Sequence, residues 1–121
     1  MSNETELAWC AGFFDGEGYI GYHYTTPIYL QLRLEIGQKD KRVLERFRKA
    51  VGRTGVSING PHKNGRSTRY VLGIHNDNAI KVFNLLKPYL SEVKLEQGKE
   101  AIKEYEAYRE RHYSATITTV K

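Results

Sequence analysis

The chain has one cysteine, Cys10, in 121 residues. No disulfide can form within it, so the fold rests on packing, and such usage fits a reducing compartment. No apolar run approaches the roughly 18 residues needed to span a bilayer, and the polar opening MSNETE lacks the character of a secretory leader. A soluble, intracellular protein without a membrane partner is expected. No segment repeats another, and the length leaves room for one real core but little for a second. One domain over residues 1–121 is therefore expected, its tail SATITTVK fraying from about residue 114. Acid is also in deficit. Fourteen Asp and Glu stand against nineteen Lys and Arg, a net charge of +5, which permits a polyanionic partner without requiring one.

Tyrosine, by contrast, is abundant, with nine in the chain. Its flat apolar body and polar tip suit a wet interface or a small core equally well. Glu6 to Phe14 has no helix breaker except Gly12, so a helix should start near Thr5 and end near Asp15, where Gly16 and Gly18 leave helical geometry most easily. Tyr19 to Tyr24 reads as a strand, and Thr25-Thr26-Pro27 turns the chain. The clearest strand follows: Leu30, Leu32, Leu34 and Ile36 point one way, and Tyr29, Gln31, Arg33 and Glu35 the other. Asp40 can cap a helix whose Val43, Leu44, Phe47 and Val51 form one stripe, ended by Gly52 and Gly55. Val56 to Asn59 and Ser67 to Ile74 are short strands joined by a loop, GPHKNGR. In the returning strand Tyr70, Leu72 and Ile74 face the core and Arg69, Val71 and Gly73 face away. A helix opening at Asn76 or Asp77 stops before Pro88, and a last one runs from about Lys94 to Tyr113. The expected fold is α+β, in the order α-β-β-α-β-β-α-α, with a four-stranded antiparallel sheet covered by helices on one face.

Within the first helix, Cys10-Ala11-Gly12-Phe13-Phe14-Asp15-Gly16-Glu17-Gly18, followed by Tyr19-Ile20, resembles the LAGLIDADG motif of homing endonucleases. The residues have a physical logic of their own. Ala8, Ala11, Gly12 and Asp15 fall at helical spacing, and three of them are nearly bare, so a second helix can approach closely. Leu7, Cys10 and Phe14 are left to face the subunit's own core. At the helix end, carbonyls without intrahelical partners and a carboxylate converge where the helix dipole favours a cation. The Gly16 carbonyl and the Glu17 side chain are hard oxygen donors suited to Mg²⁺, with Asp15 as a further candidate.

The resemblance covers most of the chain. Ile36-Gly37-Gln38-Lys39-Asp40-Lys41-Arg42 matches the family's polar residue after the second strand and a basic residue one helical turn later, implicating Gln38 and Arg42. Lys87-Pro88-Tyr89-Leu90-Ser91-Glu92-Val93-Lys94-Leu95-Glu96-Gln97 carries its Pro-aromatic-Leu step before a Lys, implicating Lys94, although this stretch is one residue longer than the form compared. Cys10 stands where Leu is usual, and Glu17 where many members have Asp.

A single motif implies a symmetric homodimer with the two Glu17 carboxylates side by side. The implied activity is homing endonuclease cleavage of double-stranded DNA at a long, roughly palindromic site in the service of a mobile element. Mg²⁺ is the expected cofactor, with Mn²⁺ as a substitute, Ca²⁺ as an occupant that does not support cutting, and no organic cofactor. Gln38 is expected to position water, and Arg42 and Lys94 to offset phosphate charge. Sequence reading is assigned to the open sheet face through Tyr19, Gly21, His23, Tyr29, Gln31, Arg33, Glu35, Ser57, Asn59, Arg69 and Val71; Lys63 and Arg66 are assigned to phosphates. The competing readings are a non-cleaving RNA maturase or DNA-binding regulator of this fold, and an interaction domain that keeps the helix pair only for dimerisation.

Overall fold

In the computed structural model, which describes the backbone of residues 3–120 and the side chains of residues 3–112, the Leu-Ile alternation becomes the middle of a sheet. Strand β2 (Leu30–Gln38) buries Leu30, Leu32, Leu34 and Ile36 and leaves the residues between them partly open. Each side chain buried this way contributes roughly 1.5–3 kcal/mol. β2 pairs antiparallel with β1 (Gly18–Tyr24) on one side and with β4 (Ser67–His75) on the other. β3 (Val56–Asn64) pairs only with β4, giving the order β1-β2-β4-β3.

The hairpin between β3 and β4 differs from the sequence expectation. Residues 60–66 are not a loop: β3 runs on to Asn64, and the turn is confined to Gly65 and Arg66. Gly65 has φ 63°, as the first central residue of a type II′ hairpin turn requires. The Gly60-Pro61 step is absorbed by a register shift between Asn59 and His62. Proline is tolerated there because β3 is an edge strand.

The helices cover the face that carries Leu32, Leu34, Leu72 and Ile74. α1 (Asn3–Glu17) starts earlier and runs further than expected, and β1 follows with no intervening residue. The exit from the helix uses no positive φ at Gly16 or Gly18. Leu7, Cys10, Ala11 and Phe14 of α1 are buried. α2 (Lys41–Val51) buries Leu44 and Phe47, and its cap is Asp40, whose carboxylate accepts from the Arg42 amide at 2.9 Å. α1 and α2 are clasped at the surface. The Trp9 and Phe13 rings stack 5.2 Å apart, and the Arg46 guanidinium lies 3.8 Å over Trp9 while pairing with Glu6 at 2.9 Å. That pairing holds the Glu6 carboxyl below its usual range.

α3 (Asn76–Leu86) leads through a single 3₁₀ turn at Lys87–Tyr89, where Pro88 ends helical pairing, into α4 (Glu92–Val120). The helical backbone of α4 continues through the stretch expected to fray from about residue 114. Gly98 lets α4 pack against α3: a Cβ there would sit 2.1 Å from the Phe83 ring. No described helix is long and apolar enough to cross a membrane.

Candidate functional site

Opposite the helices, the sheet has an open face whose rows follow from the pairing register. One row runs Tyr19, Glu35, Gly73, Ser57; the next is Gly21, Arg33, His75; another is Gly37, Val71, Asn59. His23 and Gln31 face each other, as do Arg69 and His62. Side chains paired in this way share a side of the sheet, so the expected positions Tyr19, Gly21, His23, Gln31, Arg33, Glu35, Ser57, Asn59, Arg69 and Val71 do line one surface. Gln31 and Arg33 are coupled there, the Arg33 Nε donating to Gln31 Oε1 at 2.6 Å.

Tyr29 is a correction. It lies one residue outside β2, and its ring stacks on His112 of α4 at 5.8 Å, on the helix side of the sheet. His62 and His75 are additions. Both occupy open-face rows, and strict alternation through β4 marks His75 from sequence alone. The bulge in β3 shifts the alternation, so His62 rather than Lys63 stands across from Arg69, and Lys63 pairs with Thr68. Arg66 sits in the hairpin turn and is exposed.

Two of the four candidate catalytic groups, Glu17 and Gln38, meet where α1 enters the sheet. Glu17, the last residue of α1, is exposed, and Gln38, the last residue of β2, donates from Nε2 to its Oε1 at 2.8 Å. Two residues 21 apart in sequence are thereby joined. Around them a shallow groove is lined by Gly37, Lys39, Asp40, Ser67, Thr68 and Arg69. Lys94 lies in the first turn of α4, its Nζ 5.5 Å from the centre of the Phe14 ring and 3.4 Å from Gln97 Oε1. It is carried toward α1 by Asp15, which accepts from the Ser91 amide at 3.1 Å and the Ser91 hydroxyl at 2.9 Å. Asp15 is thus engaged in joining α1 to α4. Arg42 is not bonded to the pair. Its guanidinium, 87% exposed, is paired with Asp40 at 2.6 Å, and that pairing holds the Asp40 carboxyl down at about 2.

The donors at this place are all hard oxygens: the Glu17 carboxylate, the Gly16 carbonyl in the last turn of α1, and the Gln38 amide. That chemistry fits Mg²⁺ better than a soft metal. Among the described residues no three His, Cys, Asp or Glu side chains gather around one point.

The neighbouring face of α1 is open. Ala8, Gly12 and Gly16 are exposed, and a Cβ at either glycine would meet nothing within 4 Å. Ala11 corrects the expected stripe: it is 0% exposed and belongs to the subunit's own core. Gly16, one turn beyond Gly12, takes its place on the bare surface.

An α+β domain with an open antiparallel sheet face, an acidic helix end at its margin and a bare helix flank defines a class, the LAGLIDADG fold. The chain belongs to the family of LAGLIDADG-like domains, whose model matches residues 4–87. Among solved structures it is similar to the homing endonuclease I-CvuI in complex with its target in the presence of Ca. The TM-score is 0.68 and the identity 18%, over 86% of this chain and 68% of that one. It is similar to the group I intron-encoded homing endonuclease I-CeuI complexed with DNA, with TM-score 0.68 and 18% identity over 91% of this chain and 58% of that one. The LAGLIDADG meganuclease I-AabMI bound to uncleaved DNA gives TM-score 0.68 and 21% identity over 89% of this chain and 38% of that one. The chain thus spans well under two thirds of the latter two. No curated protein sequence matches it.

Proposed function

We propose that this chain is a site-specific DNA endonuclease of the homing type, with residues 1–121 forming one domain that works as a homodimer. The observation that carries the reading is the Glu17–Gln38 hydrogen bond of 2.8 Å at the margin of the open sheet face. Merely binding DNA needs no carboxylate there, since a negative charge beside phosphates opposes association. A carboxylate exposed beside a polyanion is useful where it holds a cation.

The reaction is hydrolysis of one phosphodiester in each strand. A water oxygen bonds to phosphorus, the bond from phosphorus to the 3′ oxygen breaks, and that oxygen takes up a proton. A divalent ion, Mg²⁺ by the donor set, would be held by Glu17 and the Gly16 carbonyl; when bound it supplies an acidified water and offsets charge on the leaving oxygen. Gln38 fixes the Glu17 carboxylate and orders water beside it. Lys94 supplies positive charge at the end of α1, and Arg42 does so once its guanidinium swings from Asp40 to a phosphate. Asp15 holds α1 to α4 and is not a ligand. The bare face through Ala8, Gly12 and Gly16 lets the same helix of a second copy pack closely, which brings two Glu17 carboxylates together. Bases are read by Gln31, Arg33 and Glu35 with their neighbours in the rows, Gln and Arg making paired hydrogen bonds to A and G edges.

The direct test is incubation of the protein with a randomised duplex library and Mg²⁺, followed by sequencing of the ends produced. The expected products are cuts at a fixed position within a roughly palindromic site, absent when EDTA replaces the metal. Retention of selected duplexes without any cut in Mg²⁺ or Mn²⁺ would replace this reading with that of a non-cleaving binder.

A further inference from the structure

Glycine at position 37 has a specific consequence. Gly37 faces the open side of the sheet between Ile36 and Gln38, and a Cβ built on it would lie 2.2 Å from Nε and Nη2 of Arg69 and 2.4 Å from its Cζ. The Arg69 guanidinium is therefore laid flat across the bare Gly37 backbone. The register explains how it gets there. Gly37 pairs with Val71, so Arg69 is its diagonal neighbour two residues along β4, within reach of a long side chain. Arg69 and Gly37 line the same groove as Glu17 and Gln38. Among the described residues no carboxylate pairs with Arg69, whereas the Arg42 guanidinium is paired with Asp40.

We propose that Arg69 contacts the scissile phosphate rather than reading a base, and that Gly37 is bare because a side chain there would push the guanidinium out of the groove. The inference rests on the endonuclease reading and adds a substrate-contacting residue from β4 to the pair formed by α1 and β2. A planar guanidinium presents parallel N–H donors that match two non-bridging phosphate oxygens, which an ammonium cannot do as well. Arg69 gives up no proton in the reaction. Its hydrogen bonds strengthen as charge accumulates on those oxygens while water attacks, so its effect falls on the chemical step more than on binding.

The test compares wild type, Arg69→Ala, Arg69→Lys, Gly37→Ala and the Arg69→Ala/Gly37→Ala double variant on a duplex selected from the randomised library. Dissociation constants are measured in Ca²⁺ and single-turnover cutting rates in Mg²⁺. Arg69→Ala should bind within a few-fold of wild type and cut on the order of 100-fold more slowly. Arg69→Lys should recover part of that rate. Gly37→Ala should lose rate in the same sense, and the double variant should cut no more slowly than Arg69→Ala, since both changes remove one interaction. An unchanged rate for bound duplex with Arg69→Ala, or losses that multiply in the double variant, would overturn the assignment while wild-type cutting left the endonuclease reading standing. No cutting by the wild type would remove both.

Discussion

Single residues in this chain carry sharply different duties at adjacent positions. Asp15 joins α1 to α4 through Ser91, Gly16 faces outward, and Glu17 reaches Gln38. Five residues earlier, Cys10 is fully enclosed. Burial pushes its thiol up to about 12, with the nearby Glu6 charge adding to the rise. The folded thiol is thus protonated at any ordinary pH. An unfolded thiol ionises near 9, so the unfolded chain binds fewer protons above that pH and stability falls as pH rises from about 9 toward 12. A thiol-titrating disulfide reagent at pH 8 should modify Cys10 only in denaturant; rapid modification of the native protein would show that the α1 core is not closed.

At the scale of elements, the strongest periodicities were the most legible. The alternation of β2 and the Leu44 and Phe47 stripe of α2 were plain because each buries one face against the same core. The hairpin over residues 60–66 was not, since Gly60, Pro61 and Gly65 read as loop formers, while the edge position and the bulge let the first two remain in a strand. The open-face set of β1, β2 and β4 could be listed from alternation, but the place of Arg69 over Gly37 depends on a diagonal that only the register reveals. Ala11 illustrates another limit. Helical spacing put it beside Ala8 and Gly12, yet its side chain lies far enough around α1 to be buried. The bare surface of α1 makes a clean experiment possible. Because a Cβ at Gly12 meets nothing in its own subunit, Gly12→Leu should fold with a melting temperature close to that of wild type. It should nevertheless sediment as a monomer at concentrations where wild type is a dimer, its association weakened by on the order of 100-fold or more. A Gly12→Leu protein that remained dimeric would place the subunit contact elsewhere.

For the whole molecule, the proposed function draws on three surfaces of one chain. Its open sheet face is long-armed and carries Arg33 and Arg69 with three histidines, against a single acid, Glu35, away from the groove. The groove is lined by two carboxylates, Glu17 joined to Gln38 and Asp40 paired with Arg42, and the flank beside it is bare at Gly12 and Gly16. The proposed function joins two such chains into a two-fold assembly that would straddle duplex DNA and cut it with paired acids. The measurement that reaches this account most directly is a comparison of wild type and Glu17→Gln on the same selected duplex, with binding followed in Ca²⁺ and single-turnover cutting in Mg²⁺. The expected result is a Glu17→Gln protein that binds at least as tightly as wild type, having lost a negative charge beside phosphates, and whose cutting falls by on the order of 1,000-fold or more. Cutting by Glu17→Gln at the wild-type rate would contradict the account.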